Sequence, residues 1–92
     1  MLQRSTGATS GAITAEDTDA HPFDDVPVMA VTFEADANNA GMVTLLGNDG
    51  SDDGIVLGAG GRFTPPSFIT SLKQFQYQFT NTGDVLRYLG TR

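Results

Sequence analysis
The chain has 92 residues and a formal charge of −6, with five Lys or Arg against eleven Asp or Glu and no cysteine. That length supports one modest core, and the missing cysteine removes disulfides, thiolate metal sites and cysteine nucleophiles. The acidic balance, with Arg4, Arg62, Lys73, Arg87 and Arg92 scattered singly, argues against nucleic acid as a partner. No stretch approaches the ~18 apolar residues of a membrane-spanning helix, so no membrane partner is expected.

In chain order, the opening "MLQRSTGATSGAIT" lacks the apolar segment of a secretory signal, and export by that route is not expected. Residues 1–28 are small, polar and acidic, with no sustained period of 2 or 3.6, and read as an extended N-terminal arm. Met1, Leu2, Ile13, Phe23 and Val26 are the side chains that a groove on the body or on a neighbouring subunit could capture. The composition changes near Pro27, and residues 29–92 form the expected body; a chain beginning at Val28 is expected to fold. In "VMAVTFEA", Met29, Val31, Phe33 and Ala35 share one face, which is period 2. "DANNAG" is turn chemistry, "MVTLLG" and "IVLG" are strands, and the two prolines of "RFTPPSFI" confine it to an edge or a crossing segment. A helical turn fits only Ser67 to Lys73. "QFQYQFT" alternates strictly, "NTGD" turns, and "VLRYLG" closes the chain. Short strands at regular spacing, punctuated by Gly, Asn, Asp and Pro, predict an all-β fold: a small antiparallel β-sandwich or barrel.

The loop "GNDGSDDGIVLGAGG" starts like a D-x-[DN]-x-[DN]-G calcium loop. Its twelfth position, where an EF-hand places a bidentate Glu, is Gly60, and strands flank it where helices belong. An EF-hand is excluded. A looser calcium site on Asp49, Asp52 and Asp53 stays open beside the reading preferred here, a solvated hairpin loop with no cofactor.

Catalytic machinery is not expected. His21 is the only histidine and lies among Asp19, Asp24 and Asp25; no serine occupies a G-x-S-x-G elbow. The pairs Asp24–Asp25 and Asp52–Asp53 would need a desolvating cleft to act as acid and base. The glycines of "GAGG" do not lead a strand into a helix, as a phosphate loop would.

Phe75, Tyr77 and Phe79 read as the core-facing side of a central strand. That leaves Gln74, Gln76 and Gln78 on the other face, uncharged side chains suited to contacts between identical subunits about a symmetry axis. With Ile13, Phe23 and Val26 they form the expected partner-binding set.

The segments Asn39–Gly47, Gly54–Phe63 and Thr82–Tyr88 together resemble the small β-sandwich virion proteins of tailed bacteriophages. The likeness spans roughly residues 37 to 90 and rests on an Asn-x-Gly turn with its strand, a Gly-Ile-x-Leu element and a Thr-Gly-Asp ending. It implies a structural role without catalytic residues: a decoration or cement protein on the capsid surface, bound to the major capsid protein as a homo-oligomer, expectedly a homotrimer. The rival expectation is a receptor- or glycan-binding module of a tail or head fibre, which needs Tyr77, Tyr88 or Phe68 exposed on a concave surface. A calcium-dependent adhesion-like domain is a third, more distant alternative.

Overall fold
Among the described residues, eight strands form two four-stranded antiparallel sheets that pack face to face. The structure, a computed structural model, describes residues 8–47, 54–65 and 71–91. The strands are β1 (Ala8–Thr14), β2 (His21–Pro22), β3 (Ala30–Ala35), β4 (Val43–Gly47), β5 (Ile55–Leu57), β6 (Arg62–Phe63), β7 (Phe75–Phe79) and β8 (Val85–Thr91). The first sheet has the order β1-β8-β3-β6 and the second β2-β7-β4-β5. Only β4 and β5 are neighbours both in sequence and in one sheet; every other connection crosses between the layers. This winding is the double Greek key of a jelly roll.

Alternation along the strands builds the core. Val31, Phe33 and Ala35 of β3, Val43 and Leu45 of β4, Phe79 of β7 and Leu86 of β8 are buried, while their sequence neighbours turn to the outer faces, as a period of 2 requires. Phe75 and Tyr77 pack against the same cluster, so the aromatic stripe faces the core. Met29 departs from the face assigned to it and is 58% exposed. β3 begins only at Ala30, so the alternation does not reach back to Met29, whose N–H instead donates to the Thr91 carbonyl at 2.6 Å.

Residues 8–28, read from sequence as part of an arm, belong to the two sheets. β1 pairs with β8 over seven residues, from Ala8 with Thr91 to Thr14 with Val85, and β2 pairs with β7. Ala15, Phe23 and Val28 are core residues. The change of composition at Pro27 therefore marks no boundary between arm and body in this stretch. β1 lacks an apolar period because its inward positions are Thr9, Gly11 and Ile13; neighbouring strands supply the hydrophobic cover. Residues 1–7 lie outside the described residues.

No α-helix occurs among the described residues. The helical turn expected at Ser67 to Lys73 is a single 3₁₀ turn, Leu72–Gln74; residues 67–70 lie outside the described residues. Ser71 caps it, accepting from the Lys73 amide while the Gln74 side chain accepts from the Ser71 amide, a reciprocal capping box. Leu72, 1% exposed, pins the turn to the core.

Candidate interaction surfaces
The side chains expected to bind partners take three different positions. Phe23 is 4% exposed. Its ring lies 5.3 Å from Phe33 and 6.3 Å from Tyr88, both of the first sheet, and 4.9 Å from Tyr77 of the second. It is an anchor, but one that fastens residues 8–28 to their own body, and it is not free to enter a neighbouring subunit. Burial of such a ring contributes about 1.5–3 kcal/mol, and tilted or edge-on aromatic pairs add to that. Ile13 and Val26 are partly buried against the same core. The Val26 carbonyl also accepts from the Leu72 amide at 3.0 Å.

The glutamines are engaged within the chain. Gln74 Oε1 accepts from the Ser71 amide at 3.2 Å, and Gln78 Nε2 donates to the Thr18 carbonyl at 3.0 Å. Gln76 is half-buried on β7, opposite Pro22 on one side and Leu46 on the other. These side chains tie the 3₁₀ turn and the β1–β2 connection to the second sheet.

His21 Nε2 is 2.8 Å from Asp17 Oδ1, and both side chains are nearly half exposed. The His21 hydrogen bond, followed by the Asp19 amide, holds the Asp17 carboxyl below its ordinary value of 3.8. Tyr77 lies beside the pair, ring centroids 5.9 Å apart from His21. Burial first, then the charges of Asp24, Asp17 and Glu16, push its hydroxyl above 10.0. An exposed pair of this kind contributes little to stability. The cavity here is about 130 Å³, small for an organic substrate.

The calcium candidates Asp49, Asp52 and Asp53 lie outside the described residues. Among the described residues no three His, Asp or Glu side chains converge as a metal site would require.

A carboxylate that the sequence marks only as the end of the Thr-Gly-Asp turn sits buried between the β3–β4 turn and the start of β8. Asp84 is 5% exposed. Its two oxygens accept from the amides of Ala40 and Gly41, each at 2.9 Å. Asn39 completes the clamp, accepting from the Val85 amide at 2.8 Å and donating to the Val85 carbonyl at 2.9 Å. Gly83, at φ +86°, makes the left-handed turn that delivers Asp84. The Asn-x-Gly and Thr-Gly-Asp elements, some 45 positions apart in the chain, thus meet in space. Their residues serve backbone satisfaction.

On the first sheet, two features of the described residues are open to solvent. The outer face of the first sheet holds a trough of about 750 Å³ whose lining includes Ser10, Ala12, Thr32 and Leu89. Leu89 is 61% exposed. Its charged side chains are paired, Arg62 with Glu34 at 2.8 Å and Arg87 with Asp36. Beside the trough runs the outer edge of β1, with no strand of the described residues beyond it.

No family model, no curated protein and no solved structure matches the chain.

Proposed function
We propose that the chain is a structural virion protein that decorates a bacteriophage capsid, binding between subunits of the major capsid protein as a homo-oligomer. The observation that carries this is the β1-β8-β3-β6 and β2-β7-β4-β5 winding. Jelly rolls of this kind recur in viral capsid proteins and in lectins, and the support is one of architecture. The Asn39–Asp84 clamp adds to it, because the elements that resemble phage virion proteins are spent on holding the sandwich shut. A cement protein needs a body that resists unfolding and repeated weak contacts multiplied by the symmetry of the shell.

Glycan binding by a fibre module is the second reading, since lectins share the winding. Tyr77 and Tyr88 weigh against it: both rings pack on the core rather than forming a platform for sugar. Phe68 lies outside the described residues.

The test mixes the purified chain with capsids assembled from the major capsid protein encoded with it, and counts bound copies by co-sedimentation. Saturation at a fixed number of copies per capsid is expected, with higher capsid melting temperature. Binding that never saturates, or none, overturns the capsid role; selective retention on an immobilised oligosaccharide panel would put the fibre role in its place.

A further inference from the structure
Three of the four sheet edges are short or guarded. β2 and β6 have two residues each and β5 has three. β2 contains Pro22, which has no N–H, and β6 starts with Arg62, ion-paired to Glu34. β1 is different. Its seven residues, "ATSGAIT", carry no charge and no proline, and they follow β8 in unbroken register. Natural sheets blunt such an edge with charge, proline, a bulge or shortness, because its unpaired backbone is a template for another strand.

The ladder shows which groups are free. The Ala15 N–H donates to the Asp84 carbonyl at 2.8 Å, and the Ala15 carbonyl accepts from the Gly83 amide at 2.9 Å, so the Ala15 backbone faces the chain entering β8. Antiparallel strands alternate in this respect, so Thr9, Gly11 and Ile13 also point toward β8. The N–H and C=O of Ala8, Ser10, Ala12 and Thr14 point outward, and no other described segment bonds to them.

From this edge we infer that β1 pairs with β1 of a second copy, antiparallel about a two-fold axis at Gly11, joining the two first sheets into one. The chain carries a charge of −6, so two copies repel over most of their surface and meet most readily where a segment is neutral. The strand also complements itself. Centred on Gly11, the register sets Ala8 against Thr14 and Ser10 against Ala12 of the second copy, which are the residues with outward backbone groups. On the inner face Thr9 meets Ile13, and Gly11 meets Gly11. Every one of these side chains is small or β-branched, and no like charges oppose. A two-fold contact closes at two copies. A ring of three would instead need β1 to pair with one of the other edges, each only two or three residues long. The contact is measured without capsids, so it stands or falls apart from the proposed function.

The experiment is sedimentation equilibrium of the full chain over a concentration series, with circular dichroism to check folding. The wild type is expected at twice its 9.7 kDa chain mass. Ala12→Pro deletes an outward N–H and leaves the β8 ladder intact, and it is expected as a folded monomer. The register is read by a pair of double variants that alter the same two exposed positions. S10K/A12K opposes lysine with lysine across the axis, and is expected to weaken dimerisation at least tenfold. S10E/A12K opposes unlike charges, and is expected to dimerise as the wild type does. A monomeric wild type, a trimer, a folded Ala12→Pro dimer, or equal behaviour of the two double variants would each overturn the inference. A monomer whose capsid binding is lost in Ala12→Pro would also overturn it, and would assign the edge to a strand of another protein.

Discussion

The Tyr88 ring lies across the α-carbon of Gly11, its direct partner on the β1–β8 ladder. A Cβ placed on Gly11 would come 2.6 Å from the Tyr88 hydroxyl and 2.7 Å from Cζ. An aromatic ring over a cross-strand glycine covers backbone that would otherwise lack a side chain to shield it. Gly11→Ala is therefore expected to cost about 1–3 kcal/mol by overpacking. The check is a double-mutant cycle by urea denaturation. With Tyr88→Ala the added methyl has room, so the two substitutions should couple by about 0.5–3 kcal/mol. Additive effects would show that the ring yields freely.

Asp84 is the more costly residue to replace. Asp84→Ala leaves the Ala40 and Gly41 amides without their acceptor, and each unsatisfied donor costs about 1–3 kcal/mol. Asp84→Asn keeps one acceptor oxygen but turns an NH₂ toward an amide, and should recover only part of the loss. Thermal melts of the two variants, ranked against wild type, decide this. Equal stability of all three would mean that the clamp is not closed in solution.

Removal of the first strands should unfold the protein. Phe23→Ala takes away a ring that touches both sheets and is expected to cost about 3–5 kcal/mol, a large part of the ~5–15 kcal/mol typical of a domain. A chain truncated to begin at Val28 loses β1, β2 and Phe23 together, and its far-ultraviolet circular dichroism should be that of an unfolded chain. A cooperative melt from the truncated chain would restore the arm.

Acid should destabilise the fold through three carboxylates. Asp36 is held below 3.8 by the Asn38 amide and then by Arg87, Asp25 by the Ser71 hydroxyl and then Lys73, and Asp17 by His21 and then the Asp19 amide. A carboxyl whose folded value is depressed adds stability above its unfolded value and loses it as pH falls through the folded one. The melting temperature is thus expected to be level from about pH 7 to 5 and to fall below about pH 4. Asp36→Asn should flatten part of that fall; an unchanged slope would remove Asp36 from the account.

Much of the fold was legible because a strand's burial is written with period 2. Phe33 and Phe79 are in the core where the alternation of their segments puts them, and the turns at 36–41 and 80–84 lie where Asn, Gly and Asp cluster. The candidate site was less legible. Gln74 and Gln78 look like an open polar face in sequence, yet a capping turn and a carbonyl sixty positions away engage them. Nothing near Asp84 in sequence announces that the amides of Ala40 and Gly41 will need it.

By itself the sequence determined the all-β class, the positions of β3, β4, β7 and β8, and the inward stripe of Phe75, Tyr77 and Phe79, because these follow from each segment's own pattern. Only the tertiary structure decided that β1 and β2 are strands at all. Their small and polar residues bury too little to declare themselves, and they become strands because β8 and β7 offer them an open ladder while Phe23 closes over the gap between the sheets. That stabilisation is supplied by residues some 54 to 83 positions away in the chain, where no local period can register it.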